Sequence, residues 1–142
     1  MDNSFEYIII IALAWLISHL IKAIIKVSVG KRKKFFNDFF ASGGMPSAHT
    51  ATVVSLATLI GLNLGFDSAI FALAALFSAI TMHDAMRVRW SAGENSKAIN
   101  QIAKEGKFSV SKLKINRGHT SKEVLFGCIL GVALALVVFI TT

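Results

Sequence analysis

His119 and Glu123 stand four residues apart in RGHTSKEVLFG, one turn of a helix, so a carboxylate can reach an imidazole. A carboxylate bonded to one ring nitrogen fixes the tautomer and leaves the other nitrogen free to attack, which is the logic of an activated nucleophile. A second imidazole, His49, lies in GGMPSAHTATVVSLATLIG, behind two glycines and the only proline of the chain and directly ahead of an apolar run. A ring in that position can hand a proton to a departing alkoxide. The two motifs echo each other, since SAHT and RGHT each set a His-Thr pair at the start of an apolar run. Thr120-x-x-Glu123 is equally a capping box, which needs no chemistry, so spacing alone leaves Glu123 with two readings.

The elements that must position these residues are strongly apolar. Of 142 residues 54% are hydrophobic and the mean hydropathy is +0.64, above the range of soluble domains. The apolar residues gather in four runs, Phe5 to Val29, Ser47 to Phe66, Ser68 to Ala85 and Val124 to Ile140. Each run has about 17 to 25 residues, enough to cross a hydrocarbon core of about 30 Å as a helix. Asp2 precedes the first run, Glu6 stands at its start and the basic residues follow it, the reverse of a cleaved signal peptide, so it is expected to stay. Cys128 is the single cysteine, which excludes an intramolecular disulfide and a cysteine metal cluster. The expected fold is an all-α integral membrane protein of one domain, residues 1–142. It has four transmembrane helices over about 5–29, 47–66, 68–87 and 121–140, and a polar loop 88–120 with a short interfacial helix.

The net charge of +7 is sorted by loop. Lys31, Arg32, Lys33 and Lys34 lie between the first two runs. Arg87, Arg89, Lys97, Lys104, Lys107, Lys112, Lys114, Arg117 and Lys122 lie between the end of the third run and the fourth. The positive-inside rule then puts both basic loops in the cytoplasm and both termini outside. A basic cytoplasmic face beside anionic headgroups accounts for the charge, and nucleic acid is not an expected partner.

With that topology His49, His119, Asp84 and Arg89 share one membrane depth, where two helix N-termini favour an anion such as phosphate. In the first run His19, Lys22 and Lys26 fall on one helix face. His19 reads as a structural hydrogen bond, whereas Lys22 either lines a polar cavity or snorkels to the interface. After the first basic cluster, Phe35 to Phe40 is too short to span. In SKAINQIAKEGKF, Ala98, Ile99, Ile102 and Ala103 share one side, which suggests a helix on the membrane surface.

PSAH, residues 46–49, resembles the Pro-Ser-Gly-His signature of the type 2 phosphatidic acid phosphatase superfamily. HTSKEVLFG resembles its His-x-x-x-Asp-Val-x-x-Gly signature, with Glu for Asp. SGGMPSAHTA, DAMRVRWSAG, the AIN that follows and GHTSKEV together resemble the small divergent branch of that superfamily, in the family's order and across Lys22 to Gly131. The resemblance implies a helical membrane phosphatase in which His119 attacks phosphorus to form a phosphohistidine, Glu123 orients it and His49 protonates the leaving alcohol. The Lys-x6-Arg-Pro motif is absent; Lys26 and Lys33 keep its seven-residue offset without the proline. Leu113 stands where the arginine six residues before the second histidine is expected. Lys22, Lys26, Ser47, Arg89 and Arg117 are therefore the candidate phosphate ligands, with Gly118 and Asp84 as further site candidates.

The expected function is hydrolysis of a lipid phosphate monoester, with phosphatidylglycerophosphate, phosphatidic acid and polyprenyl phosphates as candidate substrates. No cofactor is required; a magnesium site on Asp84 with a loop carboxylate such as Glu94 is the lesser alternative. The rival is a non-catalytic membrane scaffold or anionic-lipid-binding protein. A homodimer is compatible with so small a core.

Overall fold

The computed structural model describes residues 4–28, 44–108, 111–115 and 118–142. The Lys31–Lys34 cluster, the short segment 35–40 and Arg117 lie outside them. The described residues form helices α1 (Ser4–Ser28), α2 (Ala48–Leu64), α3 (Ala69–His83), α4 (Arg89–Glu105) and α5 (Ser121–Thr141). A π turn, Asp84–Val88, joins α3 to α4 without a break.

Three stretches are long and apolar enough to cross a membrane: Phe5–Ser28, Ala69–Glu105 and Ser121–Thr141. Helix α2, with 17 residues, is shorter. It is also central, packing against α1, α3 and α5, while α5 closes back onto α1. In hydrocarbon there is no solvent-exclusion force between helices, so they hold together where small residues let backbones approach closely. That explains the spacing of four in Ser47, Ala51 and Ser55 on α2 and in Gly127, Gly131 and Ala135 on α5. A Cβ added at Gly131 would come within 2.7 Å of Ala51 O, and one at Gly127 within 2.7 Å of Ser47 O.

At one end of the bundle Ile10, Leu59, Ala135 and Val138 form an apolar cluster with Tyr7 and Leu134 against it. There Asn63 Nδ2 donates to Tyr7 OH at 3.3 Å and to Glu6 Oε2 at 3.4 Å, tying the end of α2 to the start of α1. The α2–α3 turn passes through Gly65 at φ +92°, left-handed territory where a side chain would be strained. Ser68 then caps α3, accepting from Phe71 N at 3.2 Å. Helix α3 leaves Ile70, Leu73, Leu76, Phe77 and Ile80 exposed, the outward apolar face of a helix in lipid.

The polar segment expected as a loop over 88–120 begins as helix. Helix α4 starts at Arg89 rather than near Ser96 and prolongs α3 through the π turn. The change at Arg87 is one of polarity alone, and no proline interrupts 69–105 to stop the backbone pattern.

Candidate functional site

The opposite end of the bundle collects the polar residues. Thr120 is the N-cap of α5, accepting from Glu123 N at 3.3 Å, and Glu123 Oε2 accepts from Thr120 N at 2.9 Å, a complete capping box. The same Oε2 lies 3.1 Å from His119 Nδ1. An oxygen already accepting from a backbone N–H takes the second bond as an acceptor too, so Nδ1 carries the proton and Nε2 of the neutral ring keeps its lone pair. The two readings of Glu123 are thus compatible: one oxygen caps the helix and orients the ring.

His119 is buried, with 7% of its surface exposed. Burial pulls its proton affinity below the ordinary imidazole value; the Glu123 hydrogen bond and charge oppose that shift, and Lys22 and Arg89 reinforce it. Its backbone is fixed by the π turn. There Arg89 N reaches back five residues to Asp84 O, which releases Ala85 O from the helix ladder, and Ala85 O accepts from His119 N at 2.8 Å. Gly118 lies against the backbone of Trp90, where an added Cβ would meet Trp90 N at 2.7 Å. Nothing larger than glycine fits beside the histidine. A cleft of about 490 Å³ opens here, lined by Met86, Arg87, Trp90, His119 and Ser121 among others.

Helix α2 brings its own N-terminus to this place. Ser47, fully buried, caps it: its Oγ accepts from Thr50 N at 3.4 Å and from Thr50 Oγ1 at 2.9 Å. Ser47 N donates to Glu123 O at 3.0 Å, which locks the first turn of α2 to that of α5. His49 is exposed on that first turn, and the charges of Arg89, His119, Lys22 and His19 all act on its ring.

Lys22 completes the set from α1. It is 4% exposed, and among the described residues no hydrogen bond or ion pair reaches its ammonium. Its stem packs along Gly44, whose added Cβ would lie 3.7 Å from Lys22 Cγ and Cδ. The charges of Lys26 and Glu123 act on it. His19, one turn earlier, places Nδ1 2.9 Å from Trp15 O and its ring centroid 4.3 Å from that of Trp15, the structural role expected of it.

Arg89, Lys22, His49, His119 and Glu123 therefore share one end of the bundle, whereas the Ser47 hydroxyl is engaged in its cap. Asp84 Oδ2 pairs with Arg89 Nε at 2.8 Å, and Glu94 Oε1 pairs with Lys97 Nζ at 2.6 Å. Among the described residues no group of three His, Cys, Asp or Glu side chains converges as a metal would require. Sequence spacing gave no sign of the Ala85 carbonyl or of the Trp90 backbone, because both act through the main chain and through a π turn that no residue type announces.

The profile described as the divergent PAP2 family matches residues 3–134. A curated relative, the uncharacterized membrane protein YuiD of Bacillus subtilis (strain 168), is 41% identical over 112 residues, covering 68% of this chain and 71% of that protein. No solved structure matches.

Proposed function

The chain belongs to the divergent PAP2 family, and from that premise we propose that it is a membrane phosphatase that hydrolyses a phosphate monoester carried on a lipid. His119 Nε2 attacks phosphorus, forming the P–N bond as the P–O bond to the lipid alcohol breaks. His49 gives its proton to the departing oxygen, then takes one from the water that cleaves the phosphohistidine and releases inorganic phosphate. Glu123 holds the attacking ring and stabilises the cation it becomes. Lys22 and Arg89 offset charge on the phosphoryl oxygens, which is most of what phosphoryl transfer asks of a protein. The reaction takes place at the basic, cytoplasmic face.

One observation carries this reading: Lys22, a lysine only 4% exposed whose ammonium has no ion-pair partner among the described residues, at the same end of the bundle as a buried imidazole that a carboxylate has already oriented. A cation on a mostly buried stem is a ready partner for an anion, and phosphate is an anion that the ring at the same end of the bundle can attack. The test is phosphate release from purified protein in detergent, offered phosphatidic acid, phosphatidylglycerophosphate and a polyprenyl phosphate with and without magnesium. Wild type is expected to release phosphate from at least one of them. His119→Ala and His49→Ala are expected to lose release while melting as wild type does. Lipid binding with no release from any substrate would favour the scaffold reading instead.

A further inference from the structure

Asn100 on α4 makes two hydrogen bonds to one residue of the returning chain. Its Nδ2 donates to Leu113 O at 2.9 Å, and its Oδ1 accepts from Leu113 N at 2.8 Å. A primary amide that meets both backbone groups of a single residue fixes orientation as well as distance, as paired strands do. Leu113 stands six residues before His119. Within that interval Ile115 and Gly118 line a cleft of about 240 Å³ together with Trp90 and Gly93 of α4. The returning chain is thus held to one continuous helix at three heights: Leu113 by Asn100, Gly118 by the Trp90 backbone and His119 by Ala85 O.

Asn100 has no evident part in holding the bundle together. Helix α4 packs chiefly on the π turn, and both Asn100 bonds to Leu113 are exposed, where water can replace them. The clamp instead sets where the chain starts its approach to His119. We propose that Asn100 is a positioning residue for His119, setting the register of the returning segment on α4 so that the ring arrives against Glu123. This rests on the reading in which His119 acts on phosphorus. A displacement of about 1 Å at a reacting group can cost about a hundredfold in rate, so a clamp outside the site can still govern turnover.

The test compares full-length wild type, Asn100→Ala and Asn100→Asp in detergent by hydrogen exchange over residues 111–120, melting temperature, and kcat and KM for phosphate release. Asn100→Ala is expected to speed exchange at the His119 amide as well as at Leu113. It should lower kcat by about tenfold or more with KM and melting temperature unchanged. Asn100→Asp retains the acceptor for Leu113 N but sets a second acceptor against Leu113 O, so its exchange and kcat should fall between the other two. Exchange at the His119 amide identical in wild type and Asn100→Ala would overturn the proposal, and so would faster exchange with kcat unchanged. Should wild type release phosphate from no lipid, the functional reading fails by itself and the exchange comparison still decides the clamp.

Discussion

Glu123 Oε2 serves both the helix cap and the His119 ring, so the substitution that separates its roles must keep the shape and remove the charge. Glu123→Gln does that, because the amide oxygen still accepts from Thr120 N. In the proposed reaction the attacking form of His119 is the neutral ring, and burial holds its folded-state value below the ordinary 6.5. The acid limb of kcat/KM is therefore expected below pH 6.5. The same shift makes His119 a source of stability above pH 6.5 that is lost as pH falls from there through the lower native value, since the unfolded chain takes up the proton first. Glu123 opposes the shift, so Glu123→Gln should move the acid limb to still lower pH. It should also slow turnover by about a hundredfold or more, against about ten-thousandfold for the orienting carboxylate of a serine protease. An acid limb above 6.5, or a variant as fast as wild type, would contradict the assignment. The pair itself was legible from its spacing of four, and it holds although His119 sits just ahead of Thr120, the N-cap of α5, rather than on the helix. Lys22 was not: its place on α1 allowed either snorkelling or burial, and what decides is its stem lying along Gly44, a contact made by a distant part of the chain.

Among the elements, the α2–α5 contact is the closest, and backbone atoms set its tolerance. Gly131→Ala would place a Cβ 2.7 Å from Ala51 O and 3.0 Å from Ser55 N, and neither can move without moving α2. The expected cost is about 1 to 3 kcal/mol, read as a lower melting temperature in detergent. Gly61→Ala is the control. The three atoms nearest its Cβ all belong to the ring of Phe66, the first 2.5 Å away, on a residue 59% exposed, and that ring can swing aside. Equal melting temperatures for the two variants would refute the close-packing account. The helices were legible from their apolar runs and from caps such as Ser47 and Thr120. The continuity of α3 into α4 was not, because hydropathy falls at Arg87 whereas the helical backbone, with no proline in 69–105 and with the His119 N–H taken up by a π turn, runs on to Gly106.

For the whole molecule, residues far apart in sequence meet at one end of a bundle whose other end holds the Ile10–Leu59–Ala135–Val138 cluster. Lys22, His49, Arg89 and His119 come from four different segments, and no spacing rule joins them. What brought His49, Arg89 and His119 to one depth in the sequence was the sorting of charge by loop, which orders the ends of helices but says nothing of which side chains touch. The π turn and the Asp84–Arg89 pair across it are local but no residue type announces them, and the Asn100 clamp joins segments 13 residues apart, so all three stayed hidden. The central claim is that His119 Nε2 becomes bonded to phosphorus. Its most direct test is a single-turnover reaction with a lipid carrying radiolabelled phosphate, quenched in alkali and digested. The account predicts an alkali-stable, acid-labile label on the peptide containing His119, formed as fast as the lipid alcohol is released and absent in His119→Ala. Phosphate release at the wild-type rate with no label on His119 would contradict it.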